Sequence, residues 1–268
     1  MKLDDAQLRQ YARDGYLFLP SVFSPEEVRV LTDEVPGLFA SDRPEIVREK
    51  GSGAPRSAFF VQTWNEAFSL LARHPRLISP VAQLLGSDRL YMHQFKINAK
   101  AAFDGAVWQW HQDYATWHND DEMPEPKAMN IALFLAEVNE FNGPLMFIPG
   151  SHVGGRLTAG HDVTTTSYPL WTIDHETIAK LVERGGIVAP KGPAGSMLMF
   201  HGNLVHASGS NLSPWSRWVV YLSLNRSDNA IRRHKRANWI AHRDPTPIEA
   251  APDDCLMALA QSRPRAAE

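Results

Sequence analysis

The chain has 268 residues, of which 44% are hydrophobic and 21% are charged, and its formal net charge is −3. These values are ordinary for a globular protein with a large core, and the charge balance excludes a general polyanion binder, so we expect no nucleic-acid partner. The single cysteine, Cys255, excludes an intrachain disulfide and disfavours a thiolate metal site. The first ten residues are too polar for a signal-peptide core and no run of about 18 apolar residues occurs, so we expect a cytoplasmic protein without a membrane span.

The N-terminal third, residues 1–87, is predicted to be mainly helical. The segment Ser24-Pro25-Glu26-Glu27 combines an N-cap, a proline suited to the first helical position and a capping-box glutamate, so a helix is expected to begin there. Residues 41–58 are charged and glycine-rich without periodicity, which predicts an exposed loop. The other predicted elements are helices at 4–14, 65–74 and 80–85 and a buried strand at 16–20.

From residue 88 the pattern changes to short strands separated by glycine and proline turns. Residues 90–98 alternate apolar and polar side chains, and residues 128–135 form a nearly continuous apolar run. Such strands are typical of an all-β sandwich or barrel. Further strands are predicted at 144–148, 186–188, 195–200, 204–207 and 217–224, and an excursion over one face is predicted at 153–173.

No repeat or linker divides the chain, so a single domain over residues 1–268 is expected. Its parts are a β core at 88–229, a helical insert near 174–184 and a C-terminal extension at 230–268. The extension begins with a short basic run at 232–236. For that run, a solvated loop is favoured over a nucleic-acid or phosphate contact.

A candidate metal site lies at His111 and Asp113. On a β-strand these two side chains would point to the same face, and together they would supply two of the three ligands of a 2-His-1-carboxylate Fe(II) site. The pattern alone is weak evidence for a metal site, because a buried strand with one hydrogen-bonded histidine and a surface aspartate would show the same sequence. The aromatic residues around it indicate a walled pocket: Trp108, Trp110, Tyr114 and Trp117.

The third ligand must come from a strand beside His111, and His206 is the preferred candidate. It ends an apolar run and small residues follow it, whereas His201 and His152 lie at predicted turns. Arg217 begins the next long strand, and a buried arginine requires an anion, such as the carboxylate of a chelating dicarboxylate like 2-oxoglutarate. The alternative is an ion pair between Arg217 and a surface carboxylate.

These motifs resemble the phytanoyl-CoA dioxygenase family of Fe(II)/2-oxoglutarate oxygenases. The resemblance rests on His111-x-Asp113, His206 and Arg217, on the turn at 143–152, and on the strand that follows Asp14-Gly15. It spans roughly residues 5 to 260. Within the family it is similar to bacterial hydroxylases of free amino acids and small zwitterions, including the trans-4-proline, leucine and ectoine hydroxylases. The segments that carry this closer similarity are 93–100, 108–114, 225–229 and 241–247.

The resemblance implies a mainly β protein with flanking α-helices, folded as a double-stranded β-helix of the jelly-roll, cupin-like type. It implies that His111, Asp113 and His206 bind Fe(II), that 2-oxoglutarate chelates the metal, and that O2 is the oxidant. Arg217 would hold the distal carboxylate of 2-oxoglutarate. Further cosubstrate contacts would be Ser208, Asn98 and Trp108, although Ser208 and Asn98 could instead serve turns and Trp108 could be core.

The resemblance also implies a substrate pocket lined by Gln94, Lys96, Tyr114, Trp117 and Tyr221. Lys96 could bind a carboxylate or, alternatively, extend its ammonium group to solvent. Because a carboxylate stands at Asp113, where related halogenases have glycine or alanine, hydroxylation is expected over halogenation.

The expected substrate is a small molecule, a free L-amino acid such as proline or an aliphatic amino acid. An alternative is an oxygenase of a larger biosynthetic intermediate, acting by hydroxylation, desaturation or cyclisation. A third, less favoured alternative is a non-catalytic β-helix protein that binds a small ligand.

Overall fold

Two antiparallel β-sheets lie face to face in the computed structural model, which describes residues 1–165 and 169–262. The strands are β1 Tyr16–Leu19, β2 Ile46–Arg48, β3 Pro55–Phe59, β4 Leu90–Lys100, β5 Trp108–His111, β6 Ala128–Phe134, β7 Leu145–Phe147, β8 Gly160–Asp162, β9 Leu170–Thr172, β10 Met197–His201, β11 His206–Ser208 and β12 Arg217–Arg226. The larger sheet has the order β1-β10-β6-β12-β4-β3-β2, and the smaller sheet has the order β7-β11-β5-β9-β8. This is the mainly β architecture that the sequence predicted.

Helices flank the two sheets. They are α1 Asp5–Asp14, α2 Pro25–Thr32, α3 Val35–Ala40, α4 Glu66–Ala72, α5 Pro75–Leu85, α6 Asp113–Asp121, α7 His175–Gly185 and α8 Cys255–Ser262. Apolar residues of α1 to α5 and of α8 form one core cluster with the outward side chains of the larger sheet. The predicted start of α2 is confirmed, because Ser24 and Glu27 form a reciprocal capping box. Within the described residues, no helix combines the length and apolar character needed to cross a bilayer.

Period-two alternation sorts the side chains of the larger sheet between its two faces. On β6, Met129, Ile131 and Leu133 pack against the helices, whereas Ala132 and Phe134 join a second core between the sheets. The inner face also carries side chains that line a cavity between the sheets: Gln94, Lys96, Asn98 and Tyr221. The same alternation that builds the core therefore also directs polar side chains into the cavity between the sheets.

The expectation of an exposed loop at residues 41–58 is wrong. Strands β2 and β3 form a hairpin there, and β3 extends the larger sheet by pairing with β4. Arg56 and Glu49 are buried and form an ion pair at 2.8 Å, and Arg56 lies over the ring of Trp108. Hydrophobic periodicity could not reveal this hairpin, because its buried positions carry polar side chains that satisfy one another.

Other boundaries differ in smaller ways. The helix expected at 80–85 is the second half of α5, and the strand expected at 186–188 is a single bridge between Val188 and Phe147. The expected excursion at 153–173 contributes β8 and β9, although residues 166–168 lie outside the described part. Since β9 pairs with β5, the excursion forms one side of the cavity through Leu170.

Replacing Glu49 with alanine should strongly destabilise the fold. The change leaves the guanidinium of Arg56 buried without its carboxylate, and breaking a buried pair in this way typically costs about 3–5 kcal/mol. Urea unfolding followed by circular dichroism measures the loss. The matched control is Glu176→Ala, which removes an exposed pair with Lys180 and should leave the unfolding midpoint nearly unchanged. Equal midpoints for the two variants would contradict a structural role for the buried pair.

Candidate metal and cosubstrate site

A cavity opens between the two sheets, with about 630 Å³ of empty space when the part open to solvent is included. Both sheets, α6 and the C-terminal extension contribute to it. Its lining residues are Gln94, Lys96, Asn98, Trp108, His111, Asp113, Thr116, Trp117, Asn130, Leu145, Leu170, His206, Ala207, Ser208, Tyr221 and Arg236.

His111, Asp113 and His206 meet on one wall of this cavity. Nε2 of His111 lies 3.5 Å from Oδ1 of Asp113, and Nε2 of His206 lies 3.5 Å from Oδ2. One ligand atom from each residue falls within 4.8 Å of the others, and no other such group of histidine, cysteine or acidic residues occurs in residues 1–165 and 169–262. The structure thus brings together the three residues predicted to bind a metal.

The way the chain brings them together differs in part from the expectation. His111 and His206 are direct partners in the β5–β11 pairing. However, β5 ends at His111, Gln112 has extended backbone angles (φ −116°, ψ 129°), and Asp113 is the first residue of α6. The expectation that both residues lie on one strand is therefore wrong, but a single extended residue still turns both side chains to one point. At the start of a helix, the carboxylate also gains from the helix dipole.

Backbone carbonyls fix the orientation of both imidazoles. Nδ1 of His111 lies 2.6 Å from the carbonyl oxygen of Gln109, and Nδ1 of His206 lies 2.9 Å from that of Leu204. A carbonyl oxygen only accepts, so each Nδ1 carries the hydrogen and donates it. Each Nε2 therefore keeps a lone pair directed away from the backbone, as a metal-binding histidine requires.

Electrostatics favours the protonation states that a metal needs. Burial, followed by the charge of His111, lowers the pKa of His206 to about 4, so its imidazole is neutral near pH 7. Burial alone would raise the pKa of Asp113, but His206, His111 and Lys96 hold it below its usual value. The Nε2 lone pairs of the two histidines and the carboxylate of Asp113 form a donor set that fits Fe(II) and leaves coordination positions open.

The predicted cosubstrate residues Asn98, Ser208 and Trp108 all line the cavity. A register shift between β11 and β5 explains how Trp108 and His111 do so together, although they are three residues apart. Ser208 pairs with Trp108 and His206 pairs with His111, so β5 accommodates one extra residue and both of its side chains reach the interior.

Arg217 is buried at the start of β12, outside the set of residues that line the cavity. Its Nη1 donates to the carbonyl oxygen of Gly143 at 2.7 Å, and its Nε has no hydrogen-bond partner within the described part of the chain. Burial lowers its pKa from the usual arginine value. Among residues 1–165 and 169–262, Arg217 forms no ion pair with a carboxylate, so the alternative of a surface ion pair is not supported there.

Four of the five predicted substrate residues line the cavity: Gln94, Lys96, Trp117 and Tyr221. Tyr114 does not. Its hydroxyl donates to the carbonyl oxygen of Pro124 at 3.0 Å, and its ring packs beside Trp117 in a separate apolar cluster. The Lys96 ammonium stays inside, 5.5 Å from the ring centre of Trp108 and 5.7 Å from that of Tyr221.

Arg236 lines the cavity and was missed by sequence reasoning, which treated 232–236 as a solvated loop. Its Nε donates to Oδ1 of Asp121 at 2.9 Å, and Asp121 is fully buried. Lys235 pairs with Asp120, and Arg233 pairs with Glu122. The acidic run 120–122 was the available signal, because its three charges match the basic run.

The other missed lining residues are Thr116, Asn130, Leu145, Leu170 and Ala207. Most are small or apolar, and nothing in their sequence context distinguishes them from core. Asn130 is the exception, because it interrupts an otherwise apolar strand.

Comparison with known proteins supports the same class. The family described as phytanoyl-CoA dioxygenase (PhyH) matches residues 11–219. The L-proline trans-4-hydroxylase of Streptomyces griseoviridis is 37% identical over 262 residues, which cover 94% of this chain and 97% of that protein. The ectoine dioxygenase of Bordetella bronchiseptica is 37% identical over 239 residues, which cover 85% of this chain and 77% of that protein. Among solved structures, EctD from S. alaskensis with 2-oxoglutarate and 5-hydroxyectoine is 34% identical with a TM-score of 0.83, covering 93% of this chain and 87% of that one.

A jelly roll that carries two histidines and one carboxylate on an inner wall defines a non-haem iron oxygenase. The predicted double-stranded β-helix is thereby confirmed. The chain belongs to the phytanoyl-CoA dioxygenase family of Fe(II)- and 2-oxoglutarate-dependent oxygenases and is an enzyme of that family.

Replacing Asp113 with alanine should weaken Fe(II) binding by more than about 100-fold, beyond the usual effect of losing an outer-shell partner. The change removes the only anionic member of the donor set. Anaerobic equilibrium dialysis measures the dissociation constant. Asp162→Ala, which alters an exposed carboxylate bonded to Thr164 and Thr165, is the control and should bind like the parent protein. Undiminished binding by Asp113→Ala would remove this residue from the ligand set.

Proposed function

We propose that this protein uses Fe(II), 2-oxoglutarate and O2 to hydroxylate an unactivated C–H bond of a free L-amino acid, such as proline or an aliphatic amino acid. The observation that carries the proposal is a single cavity in which the His111, Asp113 and His206 group faces two cations, Lys96 and Arg236, and apolar walls. The full-length similarity to a proline hydroxylase supports the same substrate class.

His111, Asp113 and His206 hold the metal through Nε2, a carboxylate oxygen and Nε2. The bound metal and cosubstrate together supply the oxidising chemistry: one oxygen atom of O2 enters the substrate as a hydroxyl group and the other enters succinate, with release of CO2. The protein's own contribution is to place one substrate C–H bond at the metal and to exclude alternative reactions.

Arg217 binds the distal carboxylate of 2-oxoglutarate in this proposal. It is buried and its Nε lacks a partner, which is costly unless an anion completes it. Asn98 lines the cavity from the larger sheet, and Ser208 and Trp108 line it from the smaller sheet. The amide of Asn98 is held by a hydrogen bond from Ser57 at 2.7 Å, so the β2–β3 hairpin supports this part of the pocket.

Lys96 and Arg236 bind the carboxylate of the substrate. Among the residues that the structure describes, Asp113 is the one carboxylate that lines the cavity, so the cavity is electrostatically suited to anionic groups. The rings of Trp117 and Tyr221 contact the aliphatic part of the amino acid. Because the cavity must hold 2-oxoglutarate and the substrate together, a molecule of amino-acid size fits better than a nucleotide thioester.

The carboxylate at Asp113 favours hydroxylation. In related halogenases this position carries glycine or alanine, which frees a metal position for chloride. With Asp113 in the donor set, that position is occupied and the hydroxyl group remains the group transferred.

The remaining features of the proposal concern the context of the reaction. We place the enzyme in the cytoplasm, in agreement with its single, free and buried Cys255. Its partners are small molecules, with no role for nucleic acid or membrane, and residues 1–268 act as one catalytic domain. Two exposed cations of the basic run, Arg233 and Lys235, already pair with Glu122 and Asp120.

The proposal is tested by supplying the purified Fe(II)-loaded protein with 2-oxoglutarate, O2 and a panel of free L-amino acids. One amino acid should stimulate succinate formation and gain one oxygen atom by mass spectrometry. Peptides, amino-acid amides and acyl thioesters are the controls, and they should not react because they lack the free carboxylate or exceed the cavity. Turnover with only such compounds, or with larger biosynthetic intermediates, would overturn the assignment of substrate class.

The affinity for the substrate amino acid should fall as the pH rises through about 8. Burial lowers the pKa of Lys96 to about 8, Asp113 opposes this shift, and Arg236 and Arg56 add to it. Lys96 is therefore charged below this pH and attracts the substrate carboxylate, and it loses its charge above it. The dependence of KM on pH measures the effect.

The Lys96→Met variant provides the control for that pH profile. It should bind substrate roughly tenfold or more weakly near neutral pH, as expected for losing a charged hydrogen bond. Its profile of KM against pH should also lack the change near pH 8 that is due to Lys96, while the change due to the amine of the substrate remains. A variant profile identical to that of the parent protein would rule out Lys96 as the carboxylate partner.

A further inference from the structure

Asn130 lies in the middle of β6, on the inner face of the larger sheet, among apolar neighbours. It is buried with an exposed fraction of 2%. Its Nδ2 donates a hydrogen bond to Oδ2 of Asp113 at 2.7 Å. Burying an uncharged polar side chain at this position costs stability unless its hydrogen-bonding groups find partners.

Ser223 completes the arrangement from the neighbouring strand. It stands directly opposite Asn130 in the β12–β6 register, and its Oγ donates to Oδ1 of Asn130 at 2.6 Å. A carboxylate oxygen accepts only, so the amide must turn its NH2 group toward Asp113 and its carbonyl toward Ser223. The three side chains therefore form a chain with one consistent donor direction, from Ser223 through Asn130 to Asp113.

We propose that Asn130 and Ser223 are positioning residues that hold the carboxylate of Asp113 in its metal-binding orientation. The inference rests on the proposed metal site. The side chain of Asp113 faces the cavity and is 22% exposed, so the two histidines alone do not confine it. Asn130 engages Oδ2, which leaves Oδ1 as the oxygen available to the metal.

Restricting the carboxylate in this way has a chemical consequence. A carboxylate that binds through one oxygen occupies one metal position, whereas one that binds through both occupies two. The proposed reaction needs the remaining positions for 2-oxoglutarate and O2. The hydrogen bond from Asn130 thus preserves the open face of the donor set.

The experiment compares Fe(II) binding by the parent protein, Asn130→Leu and Ser223→Ala under anaerobic conditions. Loss of an outer-shell partner typically weakens metal binding by about 10–100-fold, which is the change expected for Asn130→Leu. Ser223→Ala keeps the amide but frees its orientation, so it should give a smaller change in the same direction. The visible charge-transfer absorption of the Fe(II)–2-oxoglutarate complex should also shift in Asn130→Leu, an effect that general destabilisation would not produce.

Asn225→Leu is the matched control. Asn225 is also buried on the larger sheet, but it bonds to Tyr91 and Asn229, away from the metal ligands. It should lose stability without a change in Fe(II) affinity or in the absorption band. If Asn130→Leu does not fold, the affinity and spectrum of Ser223→Ala decide the question.

The outcomes separate this inference from the proposed function. A parent protein that does not bind Fe(II) would overturn the metal site itself. A parent protein that binds Fe(II), with variants that bind it with the same affinity and spectrum, would leave the site intact and overturn the positioning role of Asn130 and Ser223.

Discussion

One antiparallel pairing, between β5 and β11, brings the two metal-binding histidines together. His111 and His206 are register partners, so their side chains are neighbours on one face of the smaller sheet. The register shift in the same ladder turns Trp108 inward beside them. A slip of one residue in this pairing would separate the histidines and turn the wall of the cavity outward. The remaining parts of the site are arranged around this pair.

The larger sheet contributes the polar side of the cavity. Its inner face carries Lys96, Asn98 and Asn130, positioned by the β4–β12 and β12–β6 ladders. Side chains on such strands are held more rigidly than those on loops, which suits groups that must orient a small substrate. The β2–β3 hairpin adds a second layer behind them, with Arg56 stacked on Trp108 and Ser57 bonded to Asn98.

The sequence was informative where residue type alone carries chemistry. The three residues that the structure brings together as a possible metal site are recognisable because their spacing and the family motifs agree. The strands of the core are recognisable from alternation and turns. It was misleading at 41–58, since Glu49 and Arg56 are charged residues that pair in the interior. Periodicity measures hydrophobicity and cannot register a polar group whose partner lies elsewhere in the chain.

Arg236 and Tyr114 are two further residues whose positions could not be predicted from local sequence. Arg236 belongs to a basic run whose exposed members resemble a surface loop, yet its own charge is matched by the buried Asp121. Tyr114 follows Asp113 directly, and only the start of α6 at Asp113 turns its ring away from the cavity and toward Pro124. Both outcomes depend on tertiary geometry that local sequence does not contain.

The helix α6 joins the two ends of the proposed reaction site. Asp113 is its first residue and Asp121, which holds Arg236, is its last, and its 9 residues span roughly 13 Å at about 1.5 Å per residue. A helix of this length is stiff, so the proposed metal ligand and the arginine proposed to bind the substrate carboxylate share one rigid support. In the proposed reaction, the substrate is therefore anchored at its carboxylate. The carbon that lies at the metal is then the one at the matching distance from that carboxylate. The length of α6 would therefore help to decide which carbon of the substrate is hydroxylated.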